Sequence, residues 1–206
     1  MQSSANTVAT SGFLRLKPTR GSPWRPLAGA FAACVALGLW AGAAQAELPK
    51  GGAANLAMVG EPQGLDPMVS TADLVGTIMQ HVYEPLYTFD GKWRVVPMLA
   101  EGMPKVSPDG LRYSIALRKG VMLHNGRELN ADDVVASLKR WMDAAPRGKA
   151  VAKELESIGT KGAYDVEIVL KNPYAPLLSQ LALPSGMAAI MAKDSIATPL
   201  KDYVGT

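Results

Sequence analysis

Residues 107–141 read SPDGLRYSIALRKGVMLHNGRELNADDVVASLKRW, and the class of the fold follows from them. Tyr113, Ile115 and Leu117 alternate with Arg112, Ser114, Ala116 and Arg118, the two-residue period of a half-buried strand. Val121–Leu123 is a second short apolar run, closed by an Asn125-Gly126 turn. Asn130 stands where a helix begins. Its side-chain oxygen can accept from the first free amides, and Asp132 and Asp133 favour the positive helix end. Val134, Val135, Leu138, Trp141 and Met142 then share one face, the expected buried stripe.

Outward from this stretch, strands and helices keep alternating. Towards the N-terminus, Asn55–Val59 reads as a strand, and Leu65-Asp66-Pro67 as a turn with Asp66 pushed into an extended conformation by the proline. Leu74, Val75, Ile78, Met79 and Val82 form one helical face, stopped by Pro85. Leu86–Phe89 and Trp93–Val96 flank Asp90-Gly91 as a hairpin, and Pro97–Pro108 is irregular. Towards the C-terminus, Pro146-Arg147-Gly148 ends the helical region and a weaker helix carries Val151, Leu155 and Ile158. Tyr164–Leu170 reads as a strand, Ala175–Leu181 as a short helix and Met187–Met191 as an apolar strand. The class is α/β, of mixed α+β character, with no internal repeat.

The chain has 206 residues, 48% hydrophobic and 19% charged, with a formal net charge of +3. That charge belongs to the first 46 residues, where Arg15, Lys17, Arg20 and Arg25 meet no carboxylate. The remainder holds 17 Lys+Arg against 18 Asp+Glu, which removes the electrostatic case for nucleic-acid binding. Leu27–Ala44 runs without a charge and closes on Ala44-Gln45-Ala46, the pattern of a cleaved export signal, so residues 1–46 are expected to be a signal peptide. A membrane anchor and a lipoprotein modified at Cys34 are the alternatives; the first suffers from the Ala/Gly content of the run, the second from Phe31 three positions before the cysteine. Cys34 is the only cysteine, so a chain starting at Glu47 has no disulfide, thiolate metal site or cysteine nucleophile.

The chain holds no phosphate loop, dinucleotide fingerprint, nucleophile elbow, H-E-x-x-H or S-x-x-K motif. Asp132 and Asp133 are explained by the helix start better than by acid–base chemistry. His81 and Glu84 are spaced as metal ligands can be but lack a third, and His124 merely precedes a turn. Trp141 belongs to the apolar stripe. No catalytic residue, metal or cofactor is expected, and the chain does not read as an enzyme.

The same motifs, taken in order, carry a resemblance. Leu65-Asp66-Pro67, then His81-Val82-Tyr83-Glu84-Pro85-Leu86 and Pro97-Met98-Leu99-Ala100-Glu101 are followed by the 107–141 stretch and by Lys171-Asn172-Pro173-Tyr174-Ala175-Pro176-Leu177-Leu178. Together they resemble the family 5 extracellular solute-binding proteins, the dipeptide- and oligopeptide-binding components of bacterial ABC importers. Asn125 stands where the family usually has Asp, and Glu101-Gly102-Met103 replaces a more usual Glu-Ser-Trp.

The resemblance implies a type II periplasmic-binding-protein fold, a two-lobed clamp of which this chain is the N-terminal portion. Residues 47–84 would open the first lobe, 85–184 form an accessory subdomain and 185–206 return to the lobe. It further implies a monomeric periplasmic protein that binds a peptide or similar small solute and hands it to the membrane permease subunits of an importer. Ser70, Thr71, Ala72 and Asp73 would contribute main-chain contacts to that solute. Relatives take peptides, nickel complexes, haem or oligosaccharides. The alternative is an exported structural or interaction module that binds no solute. With the facing lobe absent, the segments 54–59 and 187–191 are expected to present unpaired edges and exposed apolar faces, and solute binding to be no tighter than about millimolar.

The leader assignment predicts that intact-mass measurement of exported material gives a chain beginning at Glu47. A lipid-modified Cys34, or an uncleaved N-terminus in the membrane fraction, would overturn it.

Overall fold

In the computed structural model, which describes residues 51–53, 55–197 and 199–206, the 107–141 stretch forms the strand and the capped helix expected of it. The expected export signal, its cleavage site and Cys34 lie outside the described residues. Leu56–Thr206 folds as one compact unit. Its elements are α1 (Asp73–Met79), β1 (Tyr87–Phe89), β2 (Val95–Pro97), β3 (Lys105–Val106), β4 (Arg112–Ala116), α2 (Ala131–Ala144), α3 (Pro146–Glu154), β5 (Leu155–Gly162), β6 (Asp165–Leu170) and α4 (Leu177–Ala182), followed by a 3-10 turn at Lys193–Ser195.

Two antiparallel sheets result. β1 and β2 pair as a hairpin with Tyr87 opposite Pro97 and Phe89 opposite Val95. The larger sheet runs β3-β4-β6-β5. β4 alternates exposed and buried residues along its whole length, with Tyr113 and Ile115 turned inward opposite Ile168 and Val166. The inner face of this sheet, with Leu138, Trp141, Val151, Leu177 and Leu181 from the helices, makes one part of the core, which continues through Met79, Tyr83, Leu86 and Leu99 to the run 187–192.

Helix α2 begins as its sequence demands. Asn130 Oδ1 accepts from the amides of Asp132 (3.0 Å) and Asp133 (3.2 Å), and the Asp133 carboxylate returns the contact by accepting from the Asn130 amide (3.1 Å). The expected stripe is buried except Val135, which is half-buried. Trp141 is 1% exposed, and its Nε1 donates to the Gly186 carbonyl at 2.8 Å.

The hairpin's second strand is Val95–Pro97 rather than Trp93–Val96, because the Asp90 carboxylate holds the amides of Lys92 and Arg94 in the loop, and β3 pairs with β4 inside the stretch 97–108 expected to be irregular. Four further expectations are corrected. Pro146-Arg147-Gly148 does not end the helical region: Ala145 breaks it, and Pro146 opens α3, where a proline's missing N–H costs nothing. Gly148 is there for space, since a Cβ would stand 2.0 Å from the Trp141 carbonyl oxygen. Leu155 and Ile158 belong not to a helix but to β5; a bulge between Leu155 and Ser157 puts both opposite buried residues of β6, Leu170 and Ile168. Asn55–Val59 forms no strand, and Leu56 and Val59 are exposed. Nothing among the described residues pairs with it.

Met187–Met191 is the fourth. It is extended but not a strand, and its apolar face is covered: Met187 to Ala192 are at most 1% exposed. Its polar backbone groups are instead satisfied singly. Ile190 N–H donates to the Glu84 carbonyl (3.0 Å), Met191 N–H to Ser137 Oγ (2.9 Å) and Ala192 N–H to the Val204 carbonyl (3.0 Å). The final residues close over this strand-like run, with Gly205 and His124 exchanging hydrogen bonds (His124 N–H to the Gly205 carbonyl, 2.9 Å).

Trp141→Ala should cost roughly 3–5 kcal/mol, because it opens a cavity under α2 and strands the Gly186 carbonyl. Denaturant unfolding reads this directly; an unchanged midpoint would mean the indole carries no packing.

Candidate functional site

Ser70–Asp73 connects the Leu65-Asp66-Pro67 turn to α1. The turn is set by Asp66: its Oδ1 accepts from Met68 N–H (3.1 Å) and its carbonyl from Ser70 N–H (3.0 Å). Beside it lies an open groove of about 550 Å³ between Glu61–Gly64 and residues 66–75, a volume suited to a small solute. Ser70 and Ala72 stand on its wall, with Asp66, Val69, Leu74 and Val75; Thr71 and Asp73 are exposed beside it.

The main-chain groups of the segment are partly committed. Ala72 N–H donates to Ser70 Oγ (3.3 Å), and the Ala72 carbonyl accepts the first helical amides, from Val75 and Gly76. The Thr71 carbonyl accepts from Ser185 Oγ (2.8 Å). Among the described residues this leaves the Ser70 carbonyl and the Thr71 and Asp73 N–H groups without partners, one acceptor and two donors open to a ligand.

The segment is held from behind by the 184–186 turn. Gly76 packs so closely on it that a Cβ would stand 3.0 Å from the Pro184 carbonyl oxygen. The Arg147 guanidinium donates to the Ser185 carbonyl, and Trp141 to that of Gly186. Helices α2 and α3 thereby position the candidate residues through one turn.

Asp66 is also held by charge. Arg140, whose side chain is 5% exposed, donates to Asp66 Oδ1 from Nη1 (3.1 Å), pairs Nη2 with Oδ2, and donates from Nε to the Ala197 carbonyl (3.2 Å). Burial raises the Asp66 pKa, but the Arg140 contacts and the Met68 and Val69 amides outweigh it and hold the group below the usual carboxylate range. Asp133, fully buried, behaves alike: burial is offset by a bidentate pair with Arg127 (2.7 and 2.9 Å) and by the amides of Lys193 (2.9 Å) and Asn130 (3.1 Å). Both carboxylates are structural and ionised, not poised for proton transfer. Tyr83, buried beneath the terminal segment, has a hydroxyl with no partner among the described residues, and burial pushes its pKa up.

His81 is exposed on the turn after α1, and His124 is engaged with Gly205. Among the described residues no three His, Cys, Asp or Glu side chains are grouped to hold a metal ion, and no helix is long and apolar enough to cross a membrane. Sequence reasoning missed the groove's Glu61 and Gln63, which carry no motif. It also missed the buried polar set Asp133, Ser137 and Arg140, whose i, i+4, i+7 spacing was the available signal.

Residues 94–206 match the model of the bacterial extracellular solute-binding proteins, family 5 (middle). The chain is 36% identical over 146 residues to di/tripeptide-binding protein 2 of Pseudomonas aeruginosa, covering 61% of this chain and 27% of that protein. It is 29% identical over 184 residues to the glutathione-binding protein GsiB of Pectobacterium atrosepticum, covering 88% and 33%. Among solved structures it resembles the ABC transporter-associated periplasmic binding protein DppA of Helicobacter pylori in complex with the peptide STSA (TM-score 0.56, 29% identity, 63% of this chain and 29% of that one). The chain spans about a quarter to a third of the length of the relatives it matches. The fold is that of the type II periplasmic binding proteins.

Both depressed carboxylates give stability a definite pH dependence. Their unfolded-state pKa, about 4, lies above the folded one, so the unfolded chain binds the extra protons. Stability should be level from neutral pH to about 5 and fall as acid approaches the folded pKa values. Arg140→Met, which leaves Asp66 partly buried and unpaired, should cost about 3–5 kcal/mol and flatten the acid limb. Urea midpoints across pH 3–7 test both; a midpoint that rises on acidification would contradict the pairing.

Proposed function

The chain belongs to the family 5 bacterial extracellular solute-binding proteins, and from that premise we propose that it is the N-terminal portion of the periplasmic binding component of an ABC importer for peptides. The supporting observation is joint: relatives named for binding di- and tripeptides and glutathione match over 61–88% of the chain, and a groove of solute size lies at its Ser70–Asp73 segment. Export to the periplasm by the 1–46 leader, delivery to membrane permease subunits and a monomeric state belong to the same proposal.

Within it, residues 47–84 open the first lobe, 85–184 form the accessory subdomain and 185–206 return to the lobe. The groove is then one wall of a clamp. The Ser70 carbonyl and the Thr71 N–H meet the backbone of an extended peptide, while Asp66, neutralised by Arg140, holds the turn without repelling a peptide carboxylate. Affinity comes from enclosure between this wall and a facing one. The chemistry is binding and release, with no bond made or broken.

The test uses the gene product that carries this chain. Calorimetry with di- and tripeptides should give saturable binding, and hydrogen exchange should show the Thr71 amide slowed by bound peptide. Absence of binding to every peptide would overturn the solute class. Binding that leaves residues 70–73 exchanging at their free rate would keep the function and remove the site.

A further inference from the structure

The tip of the β1–β2 hairpin carries an arrangement that neither folding nor solute binding explains. Asp90 builds the loop. Its carbonyl accepts from Trp93 N–H (2.9 Å), its N–H donates to the Arg94 carbonyl (2.9 Å), and its Oδ1 accepts from the amides of Lys92 (2.8 Å) and Arg94 (2.9 Å). Such a loop, a tight turn followed by one left-handed residue, calls for glycine or asparagine at the left-handed position. Here that position is Trp93, at φ 59°, while the loop's glycine stands two residues earlier at Gly91. A bulky residue there is strained, and strain of this kind is a pointer to function.

Burial does not account for the tryptophan either. Trp93 is 77% exposed, and only one side of its ring rests on Phe89, with centroids 5.7 Å apart and planes tilted by 52°. The loop therefore fixes the Trp93 backbone while most of its indole is exposed. Trp93 stands between two exposed basic residues, Lys92 and Arg94, of which Arg94 is clamped by Asp90 (2.7 Å). Lys92 has no ion-pair partner among the described residues.

We propose that this tip is a contact point for a lipid surface with anionic headgroups, Trp93 entering the interfacial layer and Lys92 facing phosphates. The width of the feature decides for lipid over protein. A specific protein interface needs about 800 Å² per partner around an apolar core, whereas the indole's chain neighbours Gly91, Lys92 and Arg94 are not apolar and Phe89 covers only one side of its ring. A bilayer interface needs only an indole at headgroup depth and cations beside it. The contact is a weak, reversible one, and it is independent of which solute is carried.

The full chain labelled with 5-fluorotryptophan, mixed with vesicles of equal parts phosphatidylcholine and phosphatidylglycerol containing a headgroup nitroxide lipid, tests this. The Trp93 fluorine line is identified by its absence from Trp93→Gly, and that of buried Trp141 is the internal reference. The Trp93 line should be lost selectively, less so with Lys92→Gln or in high salt, while Trp93→Gly should leave the denaturant midpoint unchanged or raise it. Equal relaxation of the two lines would overturn the proposal, including the case in which another part of the chain holds it to the vesicle. So would a lowered midpoint in Trp93→Gly, since the tryptophan would then be kept for packing on Phe89.

Discussion

One face of helix α2 fastens the molecule together, and it does so with polar side chains. Asp133, Ser137 and Arg140 are buried at i, i+4 and i+7, with Trp141 beside them. Each takes hold of a different backbone: Asp133 the Lys193 amide, Ser137 both the amide and the carbonyl of Met191, Trp141 the Gly186 carbonyl, and Arg140 the Ala197 carbonyl together with the Asp66 carboxylate. Asp133, Ser137 and Trp141 read 193, 191 and 186 in antiparallel order, while Arg140, reaching Ala197, stands outside that order. An extended segment with no sheet partner can be buried only if its amides and carbonyls are satisfied one at a time. This ladder helps to do that.

The ladder also explains why these charges are tolerated inside. An isolated buried carboxylate or guanidinium would cost several kcal/mol, yet Asp133 accepts four hydrogen bonds and Arg140 shares its charge with Asp66. Hydrophobic packing alone would let 186–197 slide along α2, because Met, Ala and Ile offer no register. Directional contacts at 133, 137 and 141 set one.

Local chemistry was legible where it was self-sufficient. The alternation in β4 and the Asn130 cap depend on neighbours in sequence and appear as read; the hairpin at Asp90 forms too, but with a longer loop that takes in Trp93 and a second strand at Val95–Pro97. What was missed depends on distant partners. Leu155 and Ile158 stand three apart, as on a helix, and only the pairing with β6 reveals a bulge that puts them on one strand face. Gly148 reads as a helix stop until the Trp141 carbonyl is seen pressed against it. Met187–Met191 has a strand's composition, but its partners are helix side chains and single carbonyls. At the candidate site, Ser70–Asp73 came from resemblance alone; the residues themselves carry no period or motif, and the groove is formed by Glu61–Gly64 folding beside them.

The same ladder bears on how a clamp of this kind could respond to its solute. Ser70–Asp73 is not a free loop: its Thr71 carbonyl is tied to Ser185, Ser185 to Arg147 on α3, and the adjacent Gly186 to Trp141 on α2. At its other end Asp66 is tied to Arg140, again on α2. The segment is thus held at Asp66 by α2 and at Thr71, through the 185–186 turn, by α3 and α2, so in the proposed function it spends little conformational entropy when a peptide lies against it. A displacement there would have to be passed to α2 or break a buried charge pair, and the second is the costlier course. In the proposed function this segment is the wall offered to the solute, and these ties make it move with the 131–144 helix as one body.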